Sequence, residues 1–239
     1  MENYENNYEI QNTTRTLSNS FVANVFMWMF AALGITALTA YLFGTDASLF
    51  GMLVDLERGG LNLFGWIVML SPFAIVLIMS FAAEKMKAST MLLLYIVYSV
   101  LMGMSLSFIF YIYEINSIFK TFIITSGMFG VMAIVGYTTH TDLTKFGSIL
   151  IMALVGIIIA SLVNMFMGSE RLDFIISIIG VIIFTGLTAY DVQKIKRIGM
   201  MGIENNDTMM KITIFAALNL YLDFINLFLY LLRFFGKRN

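Results

Sequence analysis

The 239-residue chain contains no cysteine, a single histidine at His140 and a single proline at Pro72. Without cysteine there is no disulfide scaffold, thiolate metal site or cysteine nucleophile, and one histidine rules out every multi-histidine site. Charge is scarce too. Asp, Glu, Lys and Arg together make 12% of the residues, about half the share usual in a soluble domain. A net charge of -1 provides no broad basic face for holding phosphates, which excludes nucleic acid as a partner. The opening stretch MENYENNYEIQNTTRTLSNS carries three glutamates and one arginine, the wrong sign for a secretory leader. Its Asn-rich composition predicts a polar, disordered tail over residues 1–20.

What is present is hydrophobic: 59% of the chain. Apolar runs of about 20 residues each match the thickness of a bilayer's hydrocarbon. Seven follow one another, at 21–43, 63–83, 88–113, 119–138, 146–167, 174–190 and 212–235. The fold class expected is therefore an all-α integral membrane bundle of seven helices, one domain over 21–236. EKMK, EINSI, THTDLTK and GSERLD are short connections that make successive helices antiparallel, whereas the first connection, from Gly44 to Asn62, is long and mixed.

Basic residues set the sidedness. The tail, EKMK, THTDLTK and the sixth connection hold eight of the fourteen Lys and Arg residues. The opposing loops hold Arg58, Lys120 and Arg171, and the C-terminal tail adds Arg233, Lys237 and Arg238. This places the N-terminus in the cytoplasm and, with seven crossings, the C-terminus on the far side.

Thirteen of the fifteen acidic residues fall in tails, loops or helix ends, where solvation accounts for them. Asp223 does not. It lies in the middle of ITIFAALNLYLDFINLFLYLLRFF, where an ionised carboxylate costs a few kcal/mol unless it finds a partner or water. Asn219, Asp223, Asn226 and Tyr230 recur at i, i+4, i+7 and i+11, within about 60° of one another on a helix, and so predict an inward polar stripe. Asp191 closes the sixth span, with Thr188 one turn earlier and Lys194 beside it as an ordinary solvated partner. With the seventh helix starting near Ile212, Asp223 lies about 16 Å along it. The two carboxylates then meet only if that helix starts deeper or the sixth runs past Asp191.

Several rival chemistries are testable on the residues. An intramembrane aspartyl protease also places Tyr-Asp on one helix and Asp on the next. Here Asp223 follows Leu220, Tyr221 and Leu222 where those enzymes resemble one another in Gly-x-Gly-Asp, and no Pro-Ala-Leu segment exists. Nineteen methionines, including Met102 with Met104 and Met165 with Met167, are explained by gap-filling more simply than by copper transport. Gly103 with Ser107 and Gly156 with Ala160 read as close helix contacts, and Pro72 as a kink that frees the carbonyl of Val68 to line a cavity.

The stretches FTGLTAYDVQKIK and AALNLYLDFINLFLYLLRFFG, with GYTTHTDLTKFGSILIMALVGIIIASLVNMF before them, resemble the transmembrane Bax inhibitor motif family in its bacterial branch, over about residues 21–236. The resemblance implies a last helix surrounded by the other six and a calcium leak regulated by pH, in an inner membrane. It implies contact between Asp191 and Asp223 near the cytosolic side, where they share a proton and act as pH sensor and ion pathway. Two carboxylates in a low-dielectric site cannot both ionise cheaply, and calcium competes for the oxygens when they do. Asn219, Asn226 and Thr188 could add oxygens, with Tyr230 completing the polar face, around a weak calcium site; no cofactor is implied beyond the transported ion. The expected partners are lipid, protons and calcium, and no enzymatic activity is expected. The alternative is a non-conducting regulator that binds other membrane proteins. KIKRIGMMGIENNDT, between Lys194 and Thr208, reads as a long Gly-rich loop that departs from the family pattern.

The absence of native cysteine makes topology directly measurable. Single cysteines introduced at Asn6, Asn205 and Asn239 are each expected to react with an impermeant thiol reagent from one side only, the first two together and the third opposite. Labelling of the third from the cytoplasm would remove the seven-crossing arrangement.

Overall fold

A computed structural model describes residues 2–55, 60–203 and 205–239, with side chains from Leu17 onward. Among these residues the helices are α1 (Glu2–Thr45), α2 (Ala47–Gly51), α3 (Leu63–Ala82), α4 (Ala88–Leu106), α5 (Ile109–Ile112), α6 (Ile115–Thr138), α7 (Thr144–Met167), α8 (Glu170–Gly199) and α9 (Asn206–Phe235). A two-stranded antiparallel hairpin, β1 (Val54–Asp55) with β2 (Gly60–Leu61), completes the first connection. Seven segments are long and apolar enough to cross a bilayer, in α1, α3, α4 with α5, α6, α7, α8 and α9. This is an all-α membrane bundle of seven spans. The most apolar stretch of α9 is 67% buried, against 17% for that of α7, so the last helix is the enclosed one.

Three boundaries differ from the sequence reading, each for a visible reason. Residues 2–20, expected as a disordered tail, continue α1 back to Glu2. The end of that stretch is held: Ser18 is buried and its hydroxyl donates to the Lys196 carbonyl at 3.0 Å. Helix α8 runs eight residues past Asp191, to Gly199. The presumed long sixth loop therefore shrinks to the residues between Gly199 and Asn206, turned by Gly202 at φ 63°. Helix α9 starts at Asn206, six residues ahead of the expected seventh span, where Asp207 and Lys211 bond the α3–α4 turn. The chain groups into two compact units, residues 1–24, 116–203 and 219–236 in one and 25–115, 204–218 and 237–239 in the other.

In the second unit, α1 approaches α4 closely where Gly103 lies against the carbonyl of Thr36; a Cβ there would stand 2.6 Å from that oxygen. Thr36 reinforces the crossing by donating from Oγ1 to the Ser99 carbonyl at 2.8 Å. Pro72 lies inside α3, and the Val68 carbonyl it frees accepts from Ser71 Oγ at 2.9 Å and from Ser105 Oγ of α4 at 3.0 Å. The carbonyl expected to line a cavity is thus satisfied by two hydroxyls, as a backbone group without access to water must be. Asp46 caps α2, and the hydroxyl and amide of Ser48 hold its carboxyl below the usual range. Asp207 accepts from the Ala88 amide at 3.0 Å and Lys211 donates to the Met86 carbonyl at 3.2 Å, which fixes the start of α9 beside the α3–α4 turn. The chain's last residues lie instead against the α5–α6 junction, where Glu114 N–H donates to the Lys237 carbonyl at 2.9 Å and Asn239 N–H to that of Ile112 at 3.0 Å.

In the first unit, Gly136 of α6 lies directly against Ala189 of α8: a Cβ would meet the Ala189 carbonyl oxygen at 2.2 Å. Gly147 of α7 makes room for the Tyr190 ring, and Gly180 of α8 for that of Tyr230. Phe224 of α9 packs edge-on against Phe122 and Phe129 of α6. Gly156, expected as a contact point, has nothing within 4 Å of a would-be Cβ. It sits on the outward side of α7, where Met152, Val155, Ile159 and Val163 are exposed to lipid. The motif was right in spacing, but spacing does not say which face meets a neighbour.

Gly136→Ala is accordingly expected to destabilise the protein by about 1–3 kcal/mol, since backbone must shift to admit the methyl. Gly156→Ala should be neutral or stabilising by about 0.5 kcal/mol, through helix propensity alone. Unfolding of the two variants in one detergent, followed by circular dichroism, checks the contrast; equal behaviour would contradict the close α6–α8 approach.

Candidate functional site

The extension of α8 is what brings Asp191 into the bundle. At 1.5 Å per residue the eight residues to Gly199 hold Asp191 about 12 Å back from the helix end. Burial of Val192, Ile195 and Gly199 keeps the helical pattern going past the charged sequence Gln193–Lys196. Helix α9 is antiparallel to α8 and brings Asp223 to the same level. The Asp191 and Asp223 carboxyl groups lie close enough to act on each other directly. A hydrogen bond between them would need a proton, since two carboxylates have only acceptors.

Asp223 is 6% exposed, in a stretch of α9 where Leu220, Tyr221, Phe224 and Leu227 are buried as well. Its Oδ2 has no hydrogen-bond partner among the described residues. Asp191 is half-buried, and the Lys194 ammonium acts on it electrostatically. The arrangement is a buried acid pair with one free oxygen, able to hold a proton between its members or, deprotonated, to attract a cation. Among the described residues no three His, Cys, Asp or Glu side chains gather to hold a metal. A calcium ion at the pair would complete its shell from neutral oxygens or water, which makes a weak site.

The remaining residues of the expected polar face do not join the pair. Thr188 is buried but donates from Oγ1 to the Phe184 carbonyl of its own helix at 2.7 Å. Asn226 likewise donates from Nδ2 to the Leu222 carbonyl at 2.8 Å. Tyr230 stacks on Phe184, with ring centroids 5.8 Å apart, over Gly180. Asn219 is exposed, so the stripe does not share one interior. Helical spacing aligns residues along a helix; how its neighbours surround it decides which of them are enclosed.

The residues that hold Asp191 in place went unrecognised in the sequence. Gln193 is buried and clasps the α6–α7 connection like a strand edge: Oε1 accepts from Leu143 N–H at 2.9 Å, and Nε2 donates to the Thr141 carbonyl at 2.8 Å. Arg197, one turn on, donates to Gln193 Oε1, Asp142 Oδ1 and Thr144 Oγ1 at 2.7–2.9 Å. The Thr144 hydroxyl, together with this guanidinium, holds the exposed Asp142 carboxyl well below the usual carboxylate range. Lys196 donates to the Tyr137 carbonyl at 2.7 Å and lies over the Tyr137 ring, whose hydroxyl bonds Asn19 of α1. The end of α8 is thereby tied to α1, α6 and α7. The i, i+4 spacing of Gln193 and Arg197, together with the apolar period through Ile195, was the available signal.

Comparison with known proteins follows the same lines. The family described as inhibitor of apoptosis-promoting Bax1 matches residues 18–239, and the chain belongs to this Bax inhibitor family. It is 44% identical to the inner membrane protein YbhL of Escherichia coli over 221 residues, 92% of each chain. It is 48% identical to an uncharacterized protein of Borreliella burgdorferi over 223 residues, 93% of this chain and 94% of that one. A Rickettsia prowazekii protein, also uncharacterized, is 49% identical over 176 residues, 73% of this chain and 74% of the other.

Gln193→Leu keeps the volume of the side chain but leaves the Leu143 amide and the Thr141 carbonyl unpaired, for an expected loss of about 2–4 kcal/mol. Asp142→Asn should act differently. A depressed folded-state pKa contributes stability above the unfolded value and loses it as pH falls through the folded one. The variant should therefore be slightly less stable at neutral pH and lose less on acidification. Thermal unfolding at neutral and acid pH measures both.

Proposed function

We propose that the protein is a pH-regulated calcium-leak pathway of the bacterial inner membrane, with its N-terminus in the cytoplasm, and that Asp191 and Asp223 form its proton-sharing gate. The observation carrying this reading is the close approach of two carboxyl groups on adjacent membrane helices, one of them buried with an oxygen that has no hydrogen-bond partner among the described residues. Protonated, the pair latches α8 to α9. Deprotonated, it repels across the same contact and offers two anionic oxygens to a cation. Family membership and likeness to an inner membrane protein support the location. The long apolar packing of α9 around Asp223, without a glycine-rich approach for an extended chain, supports transport over peptide cleavage. Calcium is cargo here; weak coordination suits an ion that must leave again.

Purified protein in calcium-loaded liposomes is expected to leak without any partner. The flux should change by about tenfold or more between about pH 5 and about pH 8, as one coupled pair titrates. Asp223→Asn and Asp191→Asn each fix one partner neutral and should flatten that profile, and the double variant should add little. No flux from well-folded protein would favour the non-conducting regulator. A wild-type profile in Asp223→Asn would make the pair structural.

A further inference from the structure

Between Ile212 and Leu232 every residue of α9 is buried or half-buried except one, Asn219. An exposed side chain in the middle of the most enclosed helix marks an opening beside it. The Asn219 carboxamide makes no hydrogen bond among the described residues. Facing hydrocarbon, its two donors and its acceptor would each go unpaired at a cost of several kcal/mol. One turn further along, about 40° around the helix, Asp223 carries the unpartnered buried oxygen Oδ2. An orphaned buried oxygen and an unpaired exposed carboxamide one turn apart on the same helix need the same thing, which is water.

We infer that a water-filled crevice opens beside Asn219 and hydrates Asp223, so that water and small hydrated cations reach the acid pair past Asn219. The crevice gives the site of the proposed pathway its mouth and rests on that reading for its purpose. Its existence is read by labelling, whether or not calcium moves.

The test uses the full chain in lipid nanodiscs, with three single cysteines and a cationic methanethiosulfonate that requires a hydrated thiolate. Asn205→Cys reports the exposed connection and Val131→Cys the lipid-facing surface of α6, where the native valine is 60% exposed. Asn219→Cys is expected to react within about tenfold of Asn205→Cys and at least about a hundredfold faster than Val131→Cys, because thiolate forms only in water. Reaction as slow as that of Val131→Cys overturns the crevice. Should Asn219→Cys fail to fold, the unsubstituted chain decides: a water-soluble carbodiimide with a small amine should couple at Asp223, seen by mass spectrometry. Coupling at Asp142 but not at Asp223 overturns the proposal. Labelling without calcium flux would leave the crevice standing and count against the leak alone.

Discussion

The structure depends on one constraint: inside a bilayer a polar group must find its partner in the protein or in trapped water. Asp223 is where the constraint is most severe, because a carboxyl group at that depth is tolerated only with a partner. Its partner is Asp191, and much of what surrounds α8 serves to bring that partner to it. Helix α8 must run past Asp191 for the two to meet, and its last turns carry charged residues that would fray in isolation. Gln193, Lys196 and Arg197 bind them instead to the α6–α7 connection and to Tyr137.

The same constraint explains smaller features. Pro72 removes a backbone donor, and two serine hydroxyls take its place at the Val68 carbonyl. Thr188 and Asn226 turn their donors onto their own helix, which satisfies them locally and withdraws them from the acid pair. Glycine acts at helix crossings where packing without a side chain is needed, as at Gly136 and Gly103, and is otherwise unremarkable, as at Gly156. Close crossings and satisfied donors hold the helices in register where hydrophobic burial drives them little, since lipid is as apolar as the core.

Few groups in this chain could carry chemistry within the membrane. A protein with one histidine, no cysteine and no cluster of metal ligands among its described residues has an acid pair as its main titratable feature within the membrane. On the proposed reading, hydration decides what the pair can exchange with its surroundings, and the exposed carboxamide of Asn219 marks where water would reach it.

The sequence by itself determined the class: seven apolar segments with short polar connections, the depth of Asp223, and the family, from the stretches around Tyr190 and Asp223. These are local properties, because hydrophobic length and residue type need no neighbour to be read. The spans ended within a few residues of their expected positions except at α1, at α8 and at the start of α9. At Ser18, along Gln193–Arg197 and at Lys211, polar sequence within a helix has hydrogen-bond partners on other elements. Only the tertiary structure decided that Asp191 touches Asp223, that Asn219 leaves the stripe it belongs to by spacing, and that Gly136 and not Gly156 is a crossing point. Each of these depends on which residues of a second helix face the first, and a periodic pattern along one helix holds no information about its neighbour.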